Sequence, residues 1–185
     1  MTLCALPGEL SAIPFTYDSE PLIPTSVTLA EYRDVEKRTT ANPKTITHII
    51  DETKLERANE SHRQLTNLVG RRIRSVGGIP RCNDLVDLAA RLTELSYIFE
   101  IKSTTDSNAR SQIRKGISQL YEYRYLQHAP YARLVLVVEQ PLEKDLAWMA
   151  DYLINDRGIF LVWDGDKKHL YCDSELKKSL KFLVA

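Results

Sequence analysis

The stretch that most constrains this chain is Tyr97-Ile98-Phe99-Glu100-Ile101-Lys102-Ser103. It is short, apolar and β-prone, as a buried strand requires. Side chains alternate faces along a strand, so Glu100 and Lys102 point the same way, with Ile98 behind them. Phe99 and Ile101 then point into packing on the other face. A carboxylate and an amine in the middle of such a strand are costly unless they pair or bind something. The pattern suggests a metal ion and a phosphate.

The surrounding chain sets the context. Its 185 residues suit one domain, or one domain with an arm. Residues 1–45 read as an irregular arm, broken by Pro7, Pro14, Pro21, Pro24 and Pro43, with only Thr28–Lys37 suited to a short helix. Residues 46–185 form the domain. Lys plus Arg and Asp plus Glu both number 25, so no excess of positive charge draws the whole chain to nucleic acid, and any basic surface is local. Cys4, Cys82 and Cys172 are widely spaced without a C-x-x-C pair, which argues against a disulfide framework or a zinc site and fits a reducing cytoplasm. No apolar run is long enough to span a membrane, and no signal-peptide pattern opens the chain.

Helical spacing of Leu55, Ala58, His62, Leu65, Val69, Ile73 and Val76 predicts a helix over 51–76. Asp51 and Glu52 would sit at its positive end, and Gly77-Gly78 would stop it. Arg71, Arg72 and Arg74 crowd its last turns, either as a solvated face or as phosphate contacts. His62 reads as a core histidine that also lies near the helix start beside Glu60.

Strands are expected at Ile79–Cys82, at Leu85–Leu92, and, after a return at Thr93–Ser96, through the Glu100 stretch. A helix over Ser107–His128, capped by Asp106 or Ser107, places Gln112, Gly116, Gln119 and Tyr123 on one side. Leu134–Val138 has the continuous apolar character of a central strand. A helix at Leu142–Asn155, a strand at Ile159–Trp163, a hairpin at Asp164-Gly165-Asp166, an edge strand at His169–Cys172 and a helix at Ser174–Leu183 complete the chain. The expected fold is α/β, a mixed sheet with helices on both faces.

Asp87, Glu100 and Lys102 carry the candidate chemistry. Two carboxylates suit Mg²⁺ or Mn²⁺, hard cations that take oxygen ligands and lower the pKa of water. A neighbouring lysine stabilises charge developing on a phosphate. Asp87 and Glu100 lie thirteen residues apart, a separation that a hairpin closes. The Ile101 carbonyl is placed to join the metal shell. Asp87 is preferred to Asp84 because apolar residues flank it, whereas Asp84 follows Asn83 as a turn residue does. Asp84 stays as its rival.

Asp87, then Glu100-Ile101-Lys102 in an apolar strand, within the order helix, hairpin, helix, strand, resembles the PD-(D/E)XK nuclease superfamily. Gln119-Leu120-Tyr121-Glu122-Tyr123 is similar to the Q-x-x-x-Y element of its exonuclease-like branch. The resemblance spans roughly residues 51–163. It implies a restriction endonuclease-like fold and Mg²⁺-dependent hydrolysis of phosphodiester bonds in DNA, of restriction, repair or defence type. It implies Asp87 and Glu100 as metal ligands, with Glu60, or in second place Glu56, added from the first helix. Lys102 would be catalytic, positioned with the phosphate by Gln119 and Tyr123. Arg71, Arg72, Arg74, Arg110, Gln112 and Arg114 are the candidate DNA contacts. A compact chain without a separate specificity domain points to action with a protein partner or as a homodimer. The contrasting expectation is a catalytically silent protein that keeps this fold for DNA binding or assembly.

Overall fold

A computed structural model describes residues 28–36 and 46–184, with side chains from residue 54 onward in the second segment. Most of the expected arm, including Cys4 and its five prolines, lies outside the described residues. A seven-stranded mixed sheet runs in chain order: β1 (Ala30–Glu31), β2 (Arg81–Cys82), β3 (Leu88–Leu92), β4 (Leu95–Lys102), β5 (Arg133–Val138), β6 (Ile159–Asp164) and β7 (Leu170–Tyr171). Neighbours are antiparallel except β4–β5 and β5–β6, which are parallel. β5 is central, and Leu134 to Val138 are buried, as their unbroken apolar run predicts.

Helices cover both faces. Helix α1 (Ile46–Ser75) brings Leu65, Leu68, Val69 and Ile73 against Phe99 and Ile101 of β4 and Val135 and Val137 of β5. Parallel β4 and β5 need a crossover, which α2 (Ala109–Leu126) supplies. It packs Ile113, Leu120 and Tyr123 with Ile98, Leu134 and Leu136 on the opposite face. Helix α1 ends as the glycine pair predicts. Gly77 adopts φ 81°, and the N–H groups of Gly77 and Gly78 donate to the carbonyls of Arg74 and Ile73 at 2.9 and 3.0 Å, a Schellman closure.

Several expectations are corrected. The described part of the expected Thr28–Lys37 helix, residues 28–36, is not helical. Its strand β1 pairs with β2, and Tyr32 N–H donates to Pro80 O at 2.8 Å, because the unpaired edge of β2 outweighs a weak local helix preference. Asp51 and Glu52 fall in the second turn of α1, not at its start, because the helix begins at Ile46. The expected strand from Leu85 begins only at Leu88, since Asn83 Oδ1 accepts from the N–H groups of Leu85 and Val86 at 3.0 and 2.7 Å and folds them into a turn.

The N-cap of α2 is Asn108, not Asp106 or Ser107, and its side chain accepts from Thr105 N–H at 2.8 Å instead of from the helix. The expected helix over 142–155 divides into a 3₁₀ turn (Lys144–Leu146), α3 (Trp148–Asp151) and a π turn (Tyr152–Asp156), while Leu142, Leu146, Met149 and Leu153 keep their apolar stripe. The C-terminal segment is a 3₁₀ turn (Ser174–Leu176) followed by turns, too short to propagate a helix, although Leu176, Leu180 and Leu183 bury as the spacing predicts.

Two contacts set the layers. Residues 32–35 form a strap on α1. Tyr32 OH donates to Asn67 Oδ1, and Asn67 also pairs with Val35 through its N–H and carbonyl, both at 3.2 Å. On the other side, α2 lies close to the sheet at Gly116. A Cβ there would stand 2.5 Å from Leu136 Cδ1, 3.6 Å from Glu100 Cγ and 3.7 Å from Lys102 Cε. Among the described residues no helix is long and apolar enough to cross a membrane.

Gly116→Ala tests this close approach. Alanine favours a helix by about 1 kcal/mol over glycine, whereas overpacking a filled core costs roughly 1–3 kcal/mol. Leu136 is 0 % exposed, so the clash should win and the urea midpoint should fall. An unchanged or higher midpoint would mean that Leu136 has room to rotate away.

Candidate active site

The site forms at the C-terminal end of β4, where β3 begins. Leu88 pairs with Phe99, and continuing that register sets Asp87 opposite Glu100. Asp87 is at the bend just before β3, not within the strand as the sequence suggests. There its Oδ2 accepts the N–H of Ile101 at 2.8 Å, replacing the ladder bond that a continued strand would make. The N–H of Ile101, rather than its carbonyl, is therefore the main-chain group engaged with an acid.

Glu100 is 1 % exposed. Its Oε1 is 2.5 Å from Lys102 Nζ, as strand alternation requires, while its Oε2 is buried without a hydrogen-bond partner. Lys102 Nζ donates to Gln119 Oε1 at 2.6 Å, and Gln119 Nε2 donates to Tyr123 OH at 2.8 Å. Gln119 and Tyr123 are one turn apart on α2, so helix and strand join in a chain of polar contacts. Burial raises the Tyr123 hydroxyl well above the usual tyrosine range.

Burial, reinforced by the charge of Asp87, raises Glu100 to about 7 against the pull of Lys102. His62 approaches from α1, its Nε2 3.2 Å from Asp87 Oδ2. Burial pulls its pKa down, but the hydrogen bond and charge of Asp87, with Glu100 behind, outweigh that and leave it above its ordinary value.

These groups line a cleft of about 430 Å³, with Asp84 and Gln112 at its wall. Asp84 is exposed, and Asp87 is the acid fixed against β4. A neighbouring cleft of about 860 Å³, walled by the strap, shares Asn59, His62 and Asp87 with it. Glu56 and Glu60 line that second cleft instead of the first, and Glu60 is held by Arg63 at 2.7 Å and Gln64 at 2.6 Å. Among the described residues no three His, Cys, Asp or Glu side chains converge as a metal shell.

The candidate DNA contacts divide. Arg74 binds Asp34 and Tyr32 O, each at 2.6 Å, Arg71 lies 3.6 Å from Asp34, and Arg72 donates to Lys168 O at 3.2 Å. They anchor the strap and a loop, some 14–18 Å along α1 from His62 at the helical rise. Arg110 and Arg114 are exposed on α2, the helix that bears Gln119.

Glu139 belongs to none of the motifs legible in the sequence. It accepts from Arg57 at 2.8 Å and from Ser61 and Ser103 at 3.0 Å, tying α1 to the ends of β4 and β5. Its only signal is a lone acid directly after the central apolar run.

Glu100 gives the fold a testable pH dependence. The folded chain holds its proton up to about pH 7, while the unfolded chain releases it near the ordinary 4.5. The folded state then binds more protons across that window, so stability falls as pH rises through it. A raised His62 acts in the same direction, its contribution complete below 6.5 and lost above. In EDTA, wild type should lose more stability between about pH 5 and pH 8 than Glu100→Gln, measured by urea midpoints. Equal losses would remove Glu100 as the cause. The sequence matches no protein-family model and no curated protein.

Proposed function

We propose that the protein is a Mg²⁺-dependent nuclease that hydrolyses phosphodiester bonds in DNA, with Mn²⁺ as an alternative cation, and that its sheet and helices form a PD-(D/E)XK, restriction endonuclease-like core. The observation that carries this reading is the unpartnered, buried Oε2 of Glu100 beside Asp87. A buried carboxylate oxygen without a donor is destabilising, and two acids at one point repel. A hard divalent cation removes both penalties. Two protein carboxylates are enough for Mg²⁺, which keeps several waters and takes phosphate oxygens for the rest of its shell. Asp87 and Glu100 would hold it. When bound, the cation neutralises charge on the phosphate and acidifies water at the site.

The chain's own groups have distinct tasks. Lys102 commits two of its three donors to Glu100 and Gln119, which aims the third at a phosphate oxygen. Gln119 fixes the amine and Tyr123 fixes Gln119, so α2 sets the position of Lys102 without touching the phosphate. His62 holds Asp87 from the other side.

Plasmid and linear DNA incubated with Mg²⁺, Mn²⁺ or EDTA test the reading. Wild type should cut with a divalent cation and not in EDTA. Lys102→Ala should lower the rate by roughly 100- to 1000-fold, the scale for loss of one charge-stabilising donor. Glu100→Ala should abolish cleavage. If wild type cuts nothing with any divalent cation, or the variants cut normally, the reading fails and a catalytically silent binding protein takes its place.

A further inference from the structure

The surface formed by α2 and the segment after it carries a second pattern that the cleft does not use. Arg110, Arg114, Ile117, Tyr121 and Arg124 succeed one another at steps of four and three, which makes one stripe along α2. The stripe lies on a different side of α2 from Gln112, Gln119 and Tyr123, which face the cleft.

Aromatic rings lie beside it. The Arg110 guanidinium is 6.0 Å from the Trp148 ring centre, and Trp148 is 6.1 Å from Tyr152. Arg157 lies 5.4 Å from the Tyr152 ring, and Arg124 lies 4.8 Å from the Tyr121 ring. Tyr121 OH donates to Arg157 O at 2.5 Å, which links the two rows.

The backbone is shaped for this. In an α-helix, residues five apart lie on different sides. The π turn at Tyr152–Asp156 closes with Arg157 N–H on Tyr152 O at 3.0 Å and brings Arg157 under the Tyr152 ring. Trp148, beside Arg110 in this row, is a large aromatic left 50 % exposed. Core packing does not account for it, since Met149 and Leu153 beside it supply the buried contacts.

We propose that this strip is a track for single-stranded DNA, whose bases stack on Trp148 and Tyr152 while Arg110, Arg114 and Arg124 track the backbone. The choice of DNA rests on the nuclease reading. Rings alternating with guanidinium groups suit unpaired bases, because stacking needs an open base face and duplex DNA offers none along its length. Arg157 is paired with Asp156 at 2.6 Å, so the track holds few free charges, and stacking carries more of the affinity than phosphate contacts do.

Binding is measured in EDTA, so that nothing depends on cleavage, with fluorescent oligothymidylate of about twelve nucleotides and a duplex of equal length. Wild type should bind the single strand more tightly. Trp148→Ala and Tyr152→Ala should each weaken it by roughly 5- to 100-fold, the range for loss of one stacked base. Arg110→Ala should weaken it too. Tyr131→Ala, at an exposed aromatic in the turn before β5, should not. Trp148 and Trp163 are the chain's two tryptophans, so Trp163→Phe isolates the emission of Trp148, which oligothymidylate should quench.

Unchanged binding by Trp148→Ala and Tyr152→Ala, or equal affinity for duplex without quenching, overturns the track even if the protein cuts DNA. Intact, Trp148-dependent binding in a protein that cuts nothing supports the track and overturns only the nuclease reading.

Discussion

The burial of Glu100 dictates much of what surrounds it. A carboxylate this deep in a sheet is tolerated only with partners, and a strand offers one close by, two residues along on the same face. Lys102 then needs a second acceptor, which must come from the layer above. Gln119 provides it only because α2 comes close, and α2 comes close only because position 116 lacks a side chain. Strand parity, a helix glycine and a glutamine-tyrosine pair one turn apart are thus solutions to a single electrostatic problem. One oxygen of Glu100 is left unsolved by the protein itself.

The other acid is placed by the ending of a strand. Had β3 continued one residue earlier, the main chain would have taken the N–H of Ile101. Asn83 folds the preceding residues into a turn instead, and the Asp87 carboxylate takes that donor. Helix α1 has two roles: its last turns fill the core under β4 and β5, while its middle presents His62 and Arg57 to the site and its rim. The Glu139 contacts with Arg57 and Ser61 fasten that middle part to the sheet.

What could be read in the sequence had strong local causes. The apolar runs of β4, β5 and β6, the glycine stop of α1 and the stripe of α2 each carry their own pattern. The thirteen-residue spacing of Asp87 and Glu100 also translated into a hairpin register that opposes them. What could not be read depended on partners distant in the chain. Ala30 and Glu31 have no reason of their own to be a strand, and the edge of β2 imposes it. The division of 142–155 into three helical geometries changes hydrogen-bond spacing without disturbing the apolar stripe, so the pattern is blind to it. Arg71, Arg72 and Arg74 looked like a basic cluster because their acceptors, Asp34 and the carbonyls of Tyr32 and Lys168, are far off in sequence.

The strap carries the entropic burden of such distant pairing. Residues 30–31 join β2 across some fifty intervening residues, a closure whose entropic cost rises with the length of the loop. Its fastenings are polar links to Asn67, Arg63, Arg71 and Arg74 on one helix and the Tyr32 N–H bond to Pro80 O beside β2, with the Tyr32 ring buried. The strap therefore owes its path to side chains and edges supplied by other elements, not to any pattern of its own. Because Tyr32, Val35 and Glu36 also wall the larger cleft, the shape of that cleft is set by long-range pairing, whereas the pocket of Glu100 is set by strand parity and a hairpin.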